Sequence, residues 1–181
     1  MSRRVAPPRQ SLRHLANPGT ATRVRAARQR ELTRPVAQVL QGITRRDSVD
    51  FPVLVPNMKG FEKAVASGAK SVAVVGIPSE TFSHKNLNCS VAEGVRRTIE
   101  VVHASVDAGV PCRGYVSCAL GCPFEGPMAP EAVAQLATEL FEAGCYEIAI
   151  ADTIGCGTPG VRPFLPPLLP PPPSLSLCVE R

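Results

Sequence analysis

Tryptophan is absent from these 181 residues, and no acidic residue precedes Glu31. No run of about 20 apolar residues occurs, so neither a membrane-spanning helix nor a membrane partner is expected. Paired Cys-x2-Cys knuckles are lacking too, which argues against a structural zinc site. The seven cysteines are Cys89, Cys112, Cys118, Cys122, Cys145, Cys156 and Cys178. Their number is odd, and most lie in or beside apolar segments, where Cys acts as a small buried hydrophobe. A reduced intracellular compartment is expected rather than a disulfide scaffold.

What is present is distributed unevenly. The net charge is +5, but eight arginines fall between Arg3 and Arg30, and the remainder is close to balanced. A basic stretch can serve nucleic acid. Here no aromatic accompanies the arginines and no groove-binding motif follows, so no nucleic-acid partner is expected. Arg-rich, Ser-containing and acid-free composition is that of an organelle transit peptide, and also of a disordered basic tail. Residues 1–35 are read as one or the other. Residues 161–181 include Pro163-Phe-Leu-Pro-Pro-Leu-Leu-Pro-Pro-Pro-Pro, expected to be polyproline II or disordered.

Residues 36–160 are regular and read as one domain. Apolar stretches at 53–55, 71–76, 112–117 and 146–151 predict strands, and amphipathic stretches at 58–66, 90–107 and 130–142 predict helices. Residues 77–88 read as a long loop. Ser90-Val-Ala-Glu93 has the form of a capping box, with Glu93 reaching back to the cap. Each helix ends in a small residue followed by glycine (Gly68, Gly109, Gly144) and turns into a strand. Near-continuous apolar strands separated by helices imply a parallel sheet covered by helices, hence an α/β fold. Pattern alone leaves open an open sheet or part of a barrel. Thr158-Pro159-Gly160 then signals a helix start, yet Pro163, Pro166 and Pro167 forbid the helix.

Four segments carry a specific likeness: Pro52-Val-Leu-Val-Pro-Asn-Met-Lys-Gly-Phe61, Lys85-Asn-Leu-Asn-Cys-Ser90, Arg113-Gly-Tyr-Val-Ser-Cys-Ala-Leu-Gly-Cys-Pro-Phe-Glu-Gly126 and Glu147-Ile-Ala-Ile-Ala-Asp-Thr-Ile-Gly-Cys-Gly-Thr-Pro-Gly160. In order and separation they resemble the 3-hydroxy-3-methylglutaryl-CoA lyase family. The resemblance implies a partial (β/α)8 TIM barrel, about strands three to six of eight, with disordered terminal segments. It implies a carbon–carbon lyase that cleaves HMG-CoA to acetyl-CoA and acetoacetate, in leucine catabolism and ketogenesis. A homodimer, a mitochondrial location and a divalent cation, magnesium or manganese, also follow from it.

Residue by residue, the resemblance makes Asp152 and Thr153 the catalytic-site residues, and Lys85, Asn86 and Arg113 the residues at the substrate and CoA, with a structural reading beside it for Arg113 at the start of strand five. Asp152 has a second reading, as a cap for the loop leading to Thr158. Ala151 stands where the family has glycine, and Cys156 where it has valine. The family's metal-ligating Arg-Asp-Gly and His-x-His motifs and its catalytic Gly-Gly-Cys-Pro loop have no counterpart, so no metal ligand is assigned. Arg46-Asp47-Ser48 lacks the glycine, and Leu120-Gly121-Cys122-Pro123 follows a different strand, so Cys122 is not assigned as catalytic. His84 and His103 read as ordinary solvated residues. Two alternatives accompany the lyase reading: an inactive truncated or aberrantly spliced product of such a gene, and another metal-dependent aldolase or acyl-CoA synthase of the superfamily. A partial barrel is also expected to leave two open sheet edges, near Val53 and near Ile148, and to be prone to aggregate.

Overall fold

Glycines in left-handed backbone set the rhythm of the chain. Gly68 (φ +80°), Gly109 (φ +64°) and Gly144 (φ +118°) each follow a helix and direct the chain into a strand, a geometry that a Cβ would strain. In the computed structural model, residues 36–46, 48–158 and 175–176 are described. The elements are α1 (Val36–Gly42), β1 (Val53–Leu54), α2 (Met58–Ala66), β2 (Val72–Gly76), α3 (Glu80–Leu87), α4 (Val91–Asp107), β3 (Cys112–Val116), β4 (Gly121–Cys122), β5 (Gly126–Pro127), α5 (Pro130–Glu142), β6 (Glu147–Ile150) and β7 (Leu175–Ser176).

Five strands form one sheet in the order β1-β2-β3-β6-β7, and every pairing is parallel. Register aligns Val72 with Cys112, Val74 with Gly114 and Gly114 with Ile148. One face therefore carries Val72, Val74, Val116, Ile148 and Ile150, all buried, and α4 and α5 pack on it. Helix α2 packs against α4, and α1 against α2, in the same layer. The helices supply Val101, Val102, Val133 and Leu140, each fully buried. Arg113, Tyr115, Glu147 and Ala149 lie on the opposite face by the alternation of the strand. Helices on a single face of a parallel sheet belong to a barrel section; an open doubly wound sheet carries them on both.

The helices expected at 58–66, 90–107 and 130–142 are present. Four details differ from the sequence reading. The long loop at 77–88 contains α3, capped by Ser79, whose hydroxyl accepts from the Phe82 amide at 3.1 Å, and ended by left-handed Asn88. Ser90 does cap α4, but Glu93 does not reach back. Its carboxylate takes Arg96 (2.9 Å) and Arg97 (2.6 Å) instead, because charge-assisted bonds outcompete an amide. Glu80 contributes a different cap, accepting from the amide of Val91, the first residue of α4, at 3.0 Å. Beyond β3 the chain forms an unforeseen antiparallel hairpin, β4–β5.

The fourth detail is the sheet edge. The edge expected open near Ile148 is paired, since β7 aligns Leu175 with Ile148 and Ser176 with Ala149. The rest of the expected disordered segments, residues 1–35, 161–174 and 177–181, lies outside the described residues, as do Pro159 and Gly160 of the helix-start signal. No described helix is long and apolar enough to cross a membrane.

The β1 edge is different: among the described residues its one strand neighbour is β2. Leu54 is 60% exposed there, and Val36, Val39, Ile43 and Phe51 line an apolar groove of about 440 Å³ beside it. An unprotected apolar edge invites pairing with another chain. The chain is expected to elute from size exclusion as concentration-dependent oligomers. Leu54→Lys, which blunts the edge, should raise the monomer fraction. A monomeric, cooperatively unfolding parent would show that the edge needs no cover.

Candidate functional site

Three loops leave the C-terminal ends of β2, β3 and β6, and in a barrel this is the end that carries chemistry. They are joined in series. After β6, Asp152 is 4% exposed, and its carboxylate accepts from the Cys156 amide at 3.1 Å and the Gly157 amide at 2.7 Å. Its carbonyl accepts from the Gly155 amide at 3.2 Å. The side chain thus holds its own loop, the second of the two roles read from sequence. Cys156, the departure from the family pattern, is drawn in as well, with Sγ 3.6 Å from Asp152 Oδ1.

Thr153 reaches across to the loop after β3. Its Oγ1 accepts from the Cys118 amide at 2.7 Å, and Cys118 sits at φ +56°. A non-glycine residue in that region is strained, so the threonine hydroxyl pins an unfavourable turn. Ala119 adds a backbone bond to Ala151 at 3.1 Å.

The turn at Cys118 feeds the hairpin, and the hairpin grips α3. Cys122 Sγ lies 3.0 Å from Ser79 Oγ, both buried, and accepts from the Phe124 amide at 3.4 Å. Glu125 Oε1 accepts from the Thr81 amide in the first turn of α3 at 2.6 Å, a position where the helix favours negative charge. The Phe124 ring lies 6.0 Å from that of Phe82, and Lys85 Nζ lies 4.7 Å above the centre of the Phe124 ring. Lys85 is thereby placed beside the hairpin. Asn86 faces another way, lining a cavity of about 140 Å³ with Asn57 and Arg97.

Electrostatics divide Cys118 from Cys122. Burial, with Cys122 adjacent, pushes the Cys118 thiol up to about 11. Burial also acts against the Cys122 thiolate, but the Ser79 hydroxyl and the Phe124 and Glu125 amides bring that thiol below its ordinary value. Glu125 is likewise held below the ordinary carboxylate range, first by the contact with Thr81.

Four of the five expected site residues, Asp152, Thr153, Lys85 and Asn86, lie at this end of the sheet. Arg113 does not join them. It is the second residue of β3, at the opposite end, where it forms a two-point pair with Glu147 (2.9 and 3.1 Å) and donates to the Tyr115 hydroxyl at 2.8 Å. That clamp ties β3 to β6, which gives Arg113 a structural role in this sheet. Sequence reading missed Ser79, Glu125 and Phe124. Their contacts join residues 3 to 44 positions apart, and the long-range ones leave no local pattern. Among the described residues no group of three or more His, Cys, Asp or Glu is arranged to hold a metal ion. Asp152 already spends both oxygens on amides. These residues do not by themselves fit the divalent cation that the resemblance implies.

Comparison with known proteins matches a family model described as HMGL-like to residues 24–162. The curated cytoplasmic 3-hydroxy-3-methylglutaryl-CoA lyase of Danio rerio is 57% identical over 122 residues, 67% of this chain and 36% of the relative. The mitochondrial hydroxymethylglutaryl-CoA lyase of Bos taurus is 53% identical over 124 residues, 68% of this chain and 38% of the relative. This chain therefore spans well under half the length of these relatives. Among solved structures, an HMG-CoA lyase of Acinetobacter baumannii in complex with coenzyme A and 3-methylmalate superposes with a TM-score of 0.68 at 30% identity, covering 72% of this chain and 43% of that one.

The geometry predicts the cost of removing the loop's anchor. Asp152→Ala leaves two amides without their acceptor and should lower stability by about 2 kcal/mol, read as a shift in the urea midpoint. An unchanged midpoint would mean that the carboxylate is not what holds the loop.

Proposed function

The chain belongs to the HMGL-like family of carbon–carbon lyases, and on that premise we propose that residues 36–158 are the central units of a 3-hydroxy-3-methylglutaryl-CoA lyase barrel. The observation that carries this reading is the series of contacts joining the loops after β2, β3 and β6 into one surface at the C-terminal end of the sheet. Asp152 and Thr153 fix the floor of that surface, the first by holding its own loop and the second by holding the turn at Cys118. Lys85 offers a mobile cation suited to the phosphates of coenzyme A. Asn86, with Asn57 and Arg97, lines a polar cavity next to it that suits the amide and hydroxyl groups of the same molecule. The substrate in this reading is HMG-CoA, and the products are acetyl-CoA and acetoacetate. In such lyases a divalent cation would supply stabilisation of negative charge, and the described residues form no group of ligands for it. The described residues contribute shape and positioning.

A graft tests this. Residues 36–158 placed in the Bos taurus relative, in exchange for the matching segment, should give a chimera that releases acetoacetate from HMG-CoA with magnesium present. Asp152→Asn in the chimera should lower kcat at least tenfold, and Lys85→Met should raise KM with little change in kcat. A folded chimera without turnover overturns the reading. The 181-residue chain by itself is expected to show no turnover, because the motifs that bind the cation in the family are not in its sequence.

The mitochondrial location implied by the arginine-rich stretch is proposed too. A reporter carrying residues 1–35 should enter mitochondria, and diffuse cytosolic signal would count against it. The similar proteins include one named mitochondrial and one named cytoplasmic, so the fusion separates the two.

A further inference from the structure

Two cysteines meet in the core at the end of the sheet away from the loops described above. Cys112 opens β3, and Cys145 precedes β6, the neighbouring strand. Both thiols are free and 2% exposed. The Tyr146 amide donates to the Cys112 carbonyl at 3.0 Å, which holds the two backbones at the spacing of paired strands, about 4.8 Å. Both side chains lie on the helix-covered face. Cys112 is in register with buried Val72, and Cys145 Sγ lies 3.2 Å from the place of the Cβ that Gly114 lacks. There the two thiols hydrogen-bond to each other, and the Ser105 hydroxyl in the last turn of α4 also bonds Cys112. Either thiol alone would be a small apolar residue. In contact on adjacent strands, they have the geometry from which a disulfide closes, because the Cα span it accepts, about 4.4–6.8 Å, includes the spacing of neighbouring strands. The contact is asymmetric as well. The bond from Cys145 and the Ser105 hydroxyl bring the Cys112 thiol below its ordinary value, and the same thiol–thiol bond pushes Cys145 up. The thiolate is the nucleophile of such a pair, so Cys112 reacts first.

We propose that Cys112 and Cys145 form an oxidation site, at which hydrogen peroxide converts the two thiols to a disulfide that locks β3 to β6. The site is independent of the lyase reading. The Cys112 sulfur attacks one peroxide oxygen, the O–O bond breaks and water leaves, giving a sulfenic acid. The Cys145 sulfur then attacks that sulfur, the S–S bond forms, and the hydroxyl departs with the Cys145 proton as a second water. The two thiols lose two electrons and two protons, and one peroxide becomes two waters. Burial selects a small, neutral oxidant. Pro111, Gly144 and Tyr146, which flank the pair, are exposed, so fraying at the strand ends admits peroxide without unfolding the sheet. The loop closed by the bond runs from Cys112 to Cys145 and contains the β4–β5 hairpin and α5. Closing it restricts the unfolded chain and stabilises the folded one.

Peptide mapping without reductant on the full 181-residue chain decides it. After hydrogen peroxide treatment of the reduced, native chain, a cross-link to Cys145 should account for most of the oxidised Cys112, and dithiothreitol should release it. The same treatment in urea should lower that cross-link at least about fivefold, in favour of pairs close in sequence such as Cys118 with Cys122. The oxidised chain should survive thermolysin at least about threefold longer than the reduced one. Cys112→Val, which keeps an apolar side chain suited to a strand, should form no such cross-link and should digest at one rate with or without peroxide. Four results overturn the oxidation site: both thiols still free after peroxide, Cys112 joined mainly to another cysteine, an equal yield of the cross-link in urea, or an unchanged thermolysin lifetime. Acetoacetate release by the grafted chimera reports separately on the lyase reading and has no bearing on this pair.

Discussion

The seating of α5 on the sheet depends on two positions having no Cβ. A Cβ at Gly76 would lie 3.0 Å from Leu136, and one at Gly114 would lie 2.8 Å from Ile148 and 3.2 Å from Cys145. With those positions empty, Leu136 and Leu140 descend into the space above β2, β3 and β6 and close the core. Protein interiors are packed to the density of organic crystals, so such gaps are filled rather than tolerated. The approach of α5 fixes where its first turn begins, at Pro130. That start in turn limits how far the hairpin between β3 and α5 can stray. The hairpin reaches α3, and α3 carries Lys85. The arrangement of the site end thus follows from close packing at two glycines on the helix-covered face of the sheet.

Much of the fold was legible because its signals are local. Near-continuous apolar runs such as Val72–Gly76 report strands buried on both faces, and a glycine in left-handed backbone reports a helix end. Helix α3 was not legible because its residues, Glu80–Leu87, are polar with little amphipathic periodicity. Tertiary contacts stabilise it: Ser83 is buried and bonds the Cys89 carbonyl at 2.9 Å, and Glu125 caps the first turn from 44 residues away. The capping box at Ser90 was half legible. Its hydroxyl cap needs only local geometry, whereas the fate of Glu93 depended on competition with Arg96 and Arg97 one turn on.

The site divides along the same line. Asp152 and Thr153 were recognisable as a strand-end pair, and so was the loop that Asp152 caps, whereas the turn at Cys118 that Thr153 holds lies 35 residues away and was not. Arg113 is the contrasting case. A residue in a family motif is not thereby at the site, and its place near the start of β3 gives it the task of tying two strands by a two-point ion pair. Bidentate guanidinium–carboxylate geometry suits that task.

The order in which the polypeptide leaves the ribosome gives the bond between Thr153 and Cys118 a temporal meaning. Cys118 emerges 35 residues before its partner, and its left-handed backbone has no such support until then. Strands β1, β2 and β3 can align in turn as they appear, since each pairs with its predecessor. The turn that launches the hairpin must wait for β6 and the loop behind it. Synthesis at ~5–20 residues per second makes this an interval of seconds, during which the loops that carry Lys85 and Phe124 remain unassembled. The turn at Cys118 therefore takes shape late, after β6, and one hydroxyl group completes it.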